Sequence, residues 1–223
     1  MSTAGLILAA GESRRMGSPK ALLGYRGETF VDRLVGLLAA RCAPVIVVLG
    51  AAAGEIREAM RRPATVVFNP DYCTGQTGSM QCGLRAVPAE AEGVLFTLVD
   101  HPAVAGETID KLCRAGLQPA MPAFQPAYPT VEAMPARMPA WPAANRLHGV
   151  LLRVPRYTGR RGHPIWISAA LIPEFLALPS SGAARDVVRA HAAETAFIDV
   201  DDPGILADID DPAAYRVLTG AGT

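Results

Sequence analysis

Residues 3–20 run TAGLILAAGESRRMGSPK, an apolar stretch that passes directly into a glycine, two adjacent arginines and a lysine. The segment up to Ala10 is short and nearly all apolar instead of alternating, the pattern of a strand covered on both faces. Gly11 stands where such a strand would end, with Arg14, Arg15 and Lys20 close behind it. A strand that exits into backbone N–H groups and cations suits a polyphosphate. The stretch therefore predicts an α/β domain whose first strand leads to a nucleoside triphosphate.

Working outward, the same alternation recurs through the first half of the chain. Strand-like runs lie at 6–9, 45–49, 65–68 and 94–99, and helical periodicity covers 30–41, 53–62 and 79–87. The first helical stretch carries a stripe of Val31, Leu34, Leu37 and Leu38. The order βαβαβαβ predicts an open, doubly wound α/β domain with helices on both faces of a parallel sheet. Ligands in such a domain bind beyond the carboxyl ends of the strands, where Gly11, Asn69 and the pair Asp100–His101 all fall. Further on, strands are expected at 150–154 and 164–167 around a turn over 158–163. A helix is expected at 183–191, and another from Pro212, whose missing N–H suits a first helical turn.

The chain has 223 residues, enough for one domain over 1–223 with a core that needs neither disulfide nor structural metal. Within it, 117–148 holds Pro119, Pro122, Pro126, Pro129, Pro135, Pro139 and Pro142. Proline at that density forbids a regular helix or inner strand, so a surface excursion is expected, whether lid, partner-binding arm or plain insertion. A net charge of zero advertises no face for nucleic acid. No apolar run reaches the roughly 18 residues that a membrane helix needs, and no basic-then-hydrophobic leader opens the chain. A cytoplasmic protein with no membrane partner is expected. The four cysteines show neither CxxC nor metal-ligand spacing and are expected to be free thiols and packing residues, with Cys73 alone near the suspected site.

The first loop matches neither common glycine motif. The dinucleotide fingerprint G-x-G-x-x-G is missing, which disfavours a nicotinamide-dependent oxidoreductase, and Lys20 lies too far beyond Gly17 for the nucleotide P-loop. What remains is a loop in which Ala10 and Gly11 permit close backbone approach. Arg15 offers bidentate geometry and Lys20 a point charge, while one of Arg14 and Arg15 is free to be a surface residue. Asp100 ends the run GVLFTLV, where a carboxylate needs a cation or hydrogen bonds; it is a Mg²⁺ ligand or a cap of the next loop. Asp208 and Asp210 offer a second ligand, only one of them expected to face the cleft, and two carboxylates with substrate phosphates suffice for Mg²⁺. Arg161 and His163 stand in a basic turn that either reads an anionic second substrate or is simply solvated. His101 either orients a ligand or makes a structural hydrogen bond.

Taken together, these motifs resemble those of the MobA-like nucleotidyltransferases, in the branch of the molybdenum cofactor cytidylyltransferases. The opening LAAGxSxRMGxxK is present as Leu8, Ala9, Ala10, Gly11, Ser13, Arg15, Met16, Gly17 and Lys20. A mid-domain signature matches at Asn69, Gly75, Ser79, Gly83 and Leu84. LVDQP is matched by Leu98 to Pro102 with His101 in place of glutamine, RRGHP ends at Pro164, and DIDTPEDY survives in part from Asp208 to Tyr215. The resemblance implies a three-layer, Rossmann-like nucleotidyltransferase fold with a mostly parallel sheet. It further implies that the Gly11 loop binds the triphosphate, that Arg15 and Lys20 stabilise developing charge, and that the region from Asn69 to Gly83 surrounds base and ribose. Asp100 with Asp208 or Asp210 would bind Mg²⁺, and His101, Arg161 and His163 would meet the acceptor. The implied reaction transfers a nucleoside monophosphate from CTP to the terminal phosphate of molybdopterin cofactor and releases pyrophosphate. The Ala9-Ala10-Gly11 opening favours CTP over GTP. Other phosphorylated acceptors such as a sugar phosphate, and a non-catalytic nucleotide-binding or cofactor-insertion chaperone, are the alternatives. A molybdenum hydroxylase or its chaperone is the implied partner protein.

Overall fold

β1 (Thr3–Ala9) lies in the interior of the sheet, and everything that matters for the site is arranged around its carboxyl end. The computed structural model describes residues 2–114, 149–179 and 182–220, so the proline-rich excursion expected at 117–148 lies outside the described residues. After β1 the chain forms a small hairpin, β2 (Gly24–Tyr25) and β3 (Glu28–Thr29). There follow α1 (Phe30–Ala39), β4 (Val45–Leu49), α2 (Ala53–Ala59), β5 (Thr65–Phe68), α3 (Gln76–Leu84), β6 (Gly93–Leu98) and α4 (Gly106–Arg114). The second half supplies β7 (Leu152–Tyr157), β8 (Arg160–Arg161), β9 (Ile165–Ser168), α5 (Ile172–Ala177), α6 (Ala184–Ala190), β10 (Thr195–Asp199) and α7 (Pro212–Thr219).

The main sheet has eight strands in the order β10-β7-β9-β6-β1-β4-β5, with β8 paired to β7. β1 pairs in parallel with β4 and β6, and β4 with β5. β9 runs antiparallel to both β6 and β7, and β10 returns parallel to β7. The architecture is the doubly wound α/β sandwich expected, with a mostly parallel sheet.

The continuous apolar strands are explained by two separate cores. Alternate strand residues point to opposite faces. Ile7, Val47 and Leu95 accordingly pack with α1 and α4 on one face, and Leu6, Val48 and Phe96 with α3 and α5 on the other. α1 begins where Thr29 accepts the Asp32 N–H at 3.2 Å, and the buried Asp32 carboxylate also accepts the N–H groups of Arg61 and Arg62 at 2.9 and 3.0 Å. That carboxylate joins the end of α2 to the start of α1. Gly83 lets α3 lie close on the sheet, since a Cβ there would fall within van der Waals contact of Leu6 and Val48. Its place in the structure is therefore one of close packing between α3 and the sheet.

Several elements differ from expectation. The α4 sequence GETIDKLCR buries Thr108, Ile109 and Leu112 on one face, a stripe at helical spacing for which no helix was expected. β10 has no deeply buried residue, so its sequence TAFID has little to mark it as a strand. The turn expected over 158–163 is confined to Thr158 and Gly159, both at positive φ, and Arg160 and Arg161 pair with β7 as β8. β5 is not covered on both faces: it is an edge strand, and Phe68 is 55% exposed.

Gly83→Val should lower stability by about 1–3 kcal/mol through overpacking between α3 and β1. Urea unfolding measures it, and an unchanged midpoint would show that α3 has room to spare.

Candidate functional site

The loop after β1 is closed by one serine. Ser13 adopts a left-handed backbone at φ 53°, its hydroxyl accepts the Lys20 N–H at 3.0 Å, and its carbonyl accepts the Met16 N–H at 2.9 Å. Gly17, at φ 70°, makes the second reversal that this path needs. The loop therefore folds back and returns Lys20 to the end of the strand it left. The Ala10 carbonyl accepts the Ala51 N–H at 3.1 Å, which docks the β4 exit beside it.

Lys20 then reaches across the sheet edge. Its ammonium lies 3.5 Å from Asp100 Oδ2 and also donates to Asp210 Oδ1, while Arg15 Nη2 meets Asp210 Oδ2 at 2.7 Å. Asp100, Asp208 and Asp210 each place a carboxylate oxygen so that all three lie within 4.8 Å of one another. Of the late pair only Asp210 lines the cleft, as expected, although Asp208 keeps an oxygen beside those of Asp100 and Asp210. Residues two apart in an extended segment share a face, so Ile209 turns into the core and both aspartates turn outward together.

The carboxylates come from distant parts of the chain, and their register is set by backbone bonds. The Ile209 N–H donates to the Asp100 carbonyl at 3.0 Å, and the His163 N–H to the Ile205 carbonyl at 3.0 Å. Upstream, the buried Asp202 carboxylate accepts from Ala105 N–H (2.8 Å), the Thr108 hydroxyl (2.6 Å) and Gly204 N–H (2.9 Å). Gly204 and Gly162 permit this docking, because a Cβ at either would collide with the backbone of Ala103 or Ile205.

Burial raises the Asp100 carboxyl above its ordinary range, opposed by Lys20 and reinforced by Asp210. Asp208 is also raised, by burial and then by Asp100 and Asp210, whereas the Lys20 hydrogen bond, aided by Arg15, holds Asp210 low. Among the described residues Asp100 Oδ1 is buried with no hydrogen-bond partner; His101 Nε2, at 3.8 Å, is too distant. A buried lone oxygen beside two further carboxylates suits a hard divalent cation. The residues present fit one.

A cleft of about 360 Å³ opens between the loop and these carboxylates. Of the expected nucleotide-binding residues, Leu8, Ala9, Ala10, Gly11, Ser13, Lys20, Gly75 and Ser79 line it. Arg14 and Arg15 both border it, but Arg14 is 82% exposed and pairs with Glu12 at 2.5 Å, whereas Arg15 turns to Asp210. Asn69 does not. It is buried behind the wall, donating to Ser79 Oγ at 2.9 Å and accepting from Asp71 N–H at 3.1 Å. Sequence reasoning missed Tyr72 and Gln76, which flank Gly75 and also line the cleft. The φ of 128° at Gly75 turns the chain into α3 there, and a glycine ahead of a helix was the available signal.

The expected acceptor residues are placed elsewhere. The rings of His101 and His163 stack at 4.9 Å, and His163 meets Phe96 edge-on at 5.7 Å. Burial lowers both imidazoles, that of His163 to about 4, so neither is a cation at neutral pH. Arg161 is exposed and lies over Phe197 at 4.4 Å. None of the three lines the cleft.

A doubly wound sheet with a cationic loop facing an acidic trio across one cleft defines a nucleotide-handling transferase domain. The chain belongs to the family described as the MobA-like NTP transferase domain, whose model matches residues 5–195. It is 32% identical over 219 residues to nicotine blue oxidoreductase of Paenarthrobacter nicotinovorans, covering 96% of this chain and 95% of that protein. It is 38% identical over 118 residues to a probable molybdenum cofactor guanylyltransferase of Mycobacterium tuberculosis, where the match covers 52% of this chain and 57% of that one. Among solved structures, Rv0371c of Mycobacterium tuberculosis superposes with a TM-score of 0.72 at 25% identity, over 99% of each chain. A manganese complex of the same protein gives 0.70 at 24% identity, over 99% of this chain and all of that one (100%). None of the described helices is long and apolar enough to cross a membrane.

Asp202→Asn puts an N–H₂ group among three donors and should cost about 1–3 kcal/mol of stability. Thermal and urea unfolding check this; wild-type stability would remove Asp202 as the pin of the last loop.

Proposed function

We propose that the protein is a divalent-metal-dependent nucleotidyltransferase that moves a nucleoside monophosphate from CTP to the terminal phosphate of molybdopterin cofactor, releasing pyrophosphate. The observation that carries this reading is the meeting of Lys20 and Arg15 with Asp100 and Asp210 on one cleft, with Asp208 close beside the two carboxylates. Asp100, Asp208 and Asp210 would hold the cation, Mg²⁺ or Mn²⁺, which when bound neutralises phosphate charge. Lys20 and Arg15 are held beside the carboxylates and exchange part of that pairing for triphosphate oxygens. Backbone N–H groups at Ala10 and Gly11 hold the same phosphates, while Tyr72, Gln76 and Ser79 border the base and ribose. An acceptor phosphate is already anionic, so attack on the α-phosphorus requires no side-chain base, and positioning with charge stabilisation carries the rate. His101 with His163 forms the uncharged wall behind the carboxylates, and Arg161, outside the cleft, would meet only an acceptor that extends beyond it.

The Ala9-Ala10-Gly11 opening supports CTP, whereas the mycobacterial relatives, matched over about half of each chain, support GTP as donor. A second reading, oxidation–reduction at the same cleft, is favoured by the name of the Paenarthrobacter nicotinovorans relative and the breadth of that match. It leaves the acidic trio without a task.

Pyrophosphate release should appear with CTP and molybdenum cofactor together and be far weaker with the other three nucleoside triphosphates. Nucleotide-independent oxidation of NADH or NADPH with no pyrophosphate would select the second reading. Separately, Asp100→Asn should fold normally yet lose about a hundredfold or more in turnover. Chelation should abolish turnover, and added Mg²⁺ or Mn²⁺ should restore it. Near-normal activity in folded Asp100→Asn, or indifference to chelator, would refute the metal assignment.

A further inference from the structure

Two thiols that stand far apart in the chain meet at one junction away from the cleft. Cys42 follows the end of α1 and is buried, whereas Cys113 lies in the last turn of α4 with part of its surface open to solvent. Both pack in the same core on one face of the sheet, where each thiol perturbs the other's ionisation. The junction is charged as well as close. Arg41, next to Cys42, pairs with Asp110, one turn before Cys113, at 2.6 Å from Nε to Oδ1 and 2.9 Å from Nη2 to Oδ2. Arg153 approaches from β7, donates to the Leu112 carbonyl at 3.0 Å and lies flat on Trp166 at 3.7 Å.

The two sulfurs are not equivalent. Interaction with Cys42 lowers the Cys113 thiol, and Arg153 and Arg41 act in the same direction. The same interaction and burial push Cys42 far up. Thiol–disulfide exchange needs an accessible thiolate to attack and a second thiol within reach to resolve. Cys113 has the first property and Cys42 the second. Among the described residues, Cys73 is exposed and Cys82 donates to the Phe68 carbonyl at 3.7 Å; neither has a thiol partner.

We propose that Cys42 and Cys113 form a redox-active dithiol that low-molecular-weight disulfides oxidise to an intramolecular disulfide, with Cys113 attacking and Cys42 resolving. The Cys113 thiolate attacks one sulfur of the small disulfide, forming a mixed disulfide and expelling the other half as a thiolate. That thiolate takes the Cys42 proton. The Cys42 sulfur then attacks Cys113 Sγ and expels the second half, which is protonated from solvent. Two protein thiols are oxidised to one disulfide, and the small disulfide is reduced to two thiols. The new bond would tie the end of α1 to the end of α4. The site is independent of the transferase reading, because no residue of the cleft takes part.

The test uses the full chain carrying Cys73→Ser, exposed to oxidised glutathione and followed by intact mass and non-reducing peptide mapping. The parent should lose two hydrogens and yield one linked pair of peptides, containing Cys42 and Cys113. Cys42→Ala in that background should instead retain one glutathionyl group on Cys113, and Cys113→Ser should leave Cys42 unmodified. The parent map decides even where a variant fails to fold. A parent that keeps glutathione on Cys113 without closing the linkage, or a folded Cys113→Ser in which Cys42 is glutathionylated, overturns the proposal.

Discussion

The constraint on which the site depends is the charge of Asp100 at a buried strand end. A carboxylate there is costly unless cations and donors surround it, and a single lysine does not satisfy both of its oxygens. The loop after β1 answers one side of that demand by folding back on Ser13 and delivering Lys20. The late loop answers the other by adding Asp208 and Asp210, which increases the local negative charge and makes a further cation favourable. Attraction to Lys20 and repulsion among the carboxylates are therefore balanced within a few ångströms.

That balance requires the last loop to sit in one register, and the register comes from groups that take no part in chemistry. Asp202 collects three donors from two elements, and Gly162 and Gly204 remove the side chains that would hold the backbones apart. The stacked histidines fill the space behind. His101 replaces the glutamine of the resembling motif, and its uncharged ring packs on His163, leaving the Nδ1 atom of each ring buried without a hydrogen-bond partner among the described residues.

The fold was legible where both faces of a strand are buried. The run at 45–49 matches β4 residue for residue, because near-continuous apolar letters leave little room for another reading; the run at 65–68 matches β5 as well, although that edge strand is largely exposed. β10 was illegible for the opposite reason: it buries too little for a period to emerge, whereas the stripe of Thr108, Ile109 and Leu112 in α4 was there to be read. Within the site, the loop residues were legible because glycine, arginine and lysine carry their chemistry with them. Tyr72 and Gln76 were hidden because lining a cleft depends on the path of a neighbouring glycine. Asn69 was read as a nucleotide contact, yet its amide is spent on Ser79 and the Asp71 backbone. The Cys42–Cys113 pair could not be found by spacing, since only packing of α1 against α4 brings the two together.

β1 also has a consequence for how this protein tolerates change. Its odd and even residues belong to different oil layers, so the strand acts as an insulating partition. A methyl group lost at Ile7 is felt by α1 and α4, and one lost at Leu6 by α3 and α5. The two sides can accordingly drift in sequence without consulting each other, whereas the backbone they share has no such freedom.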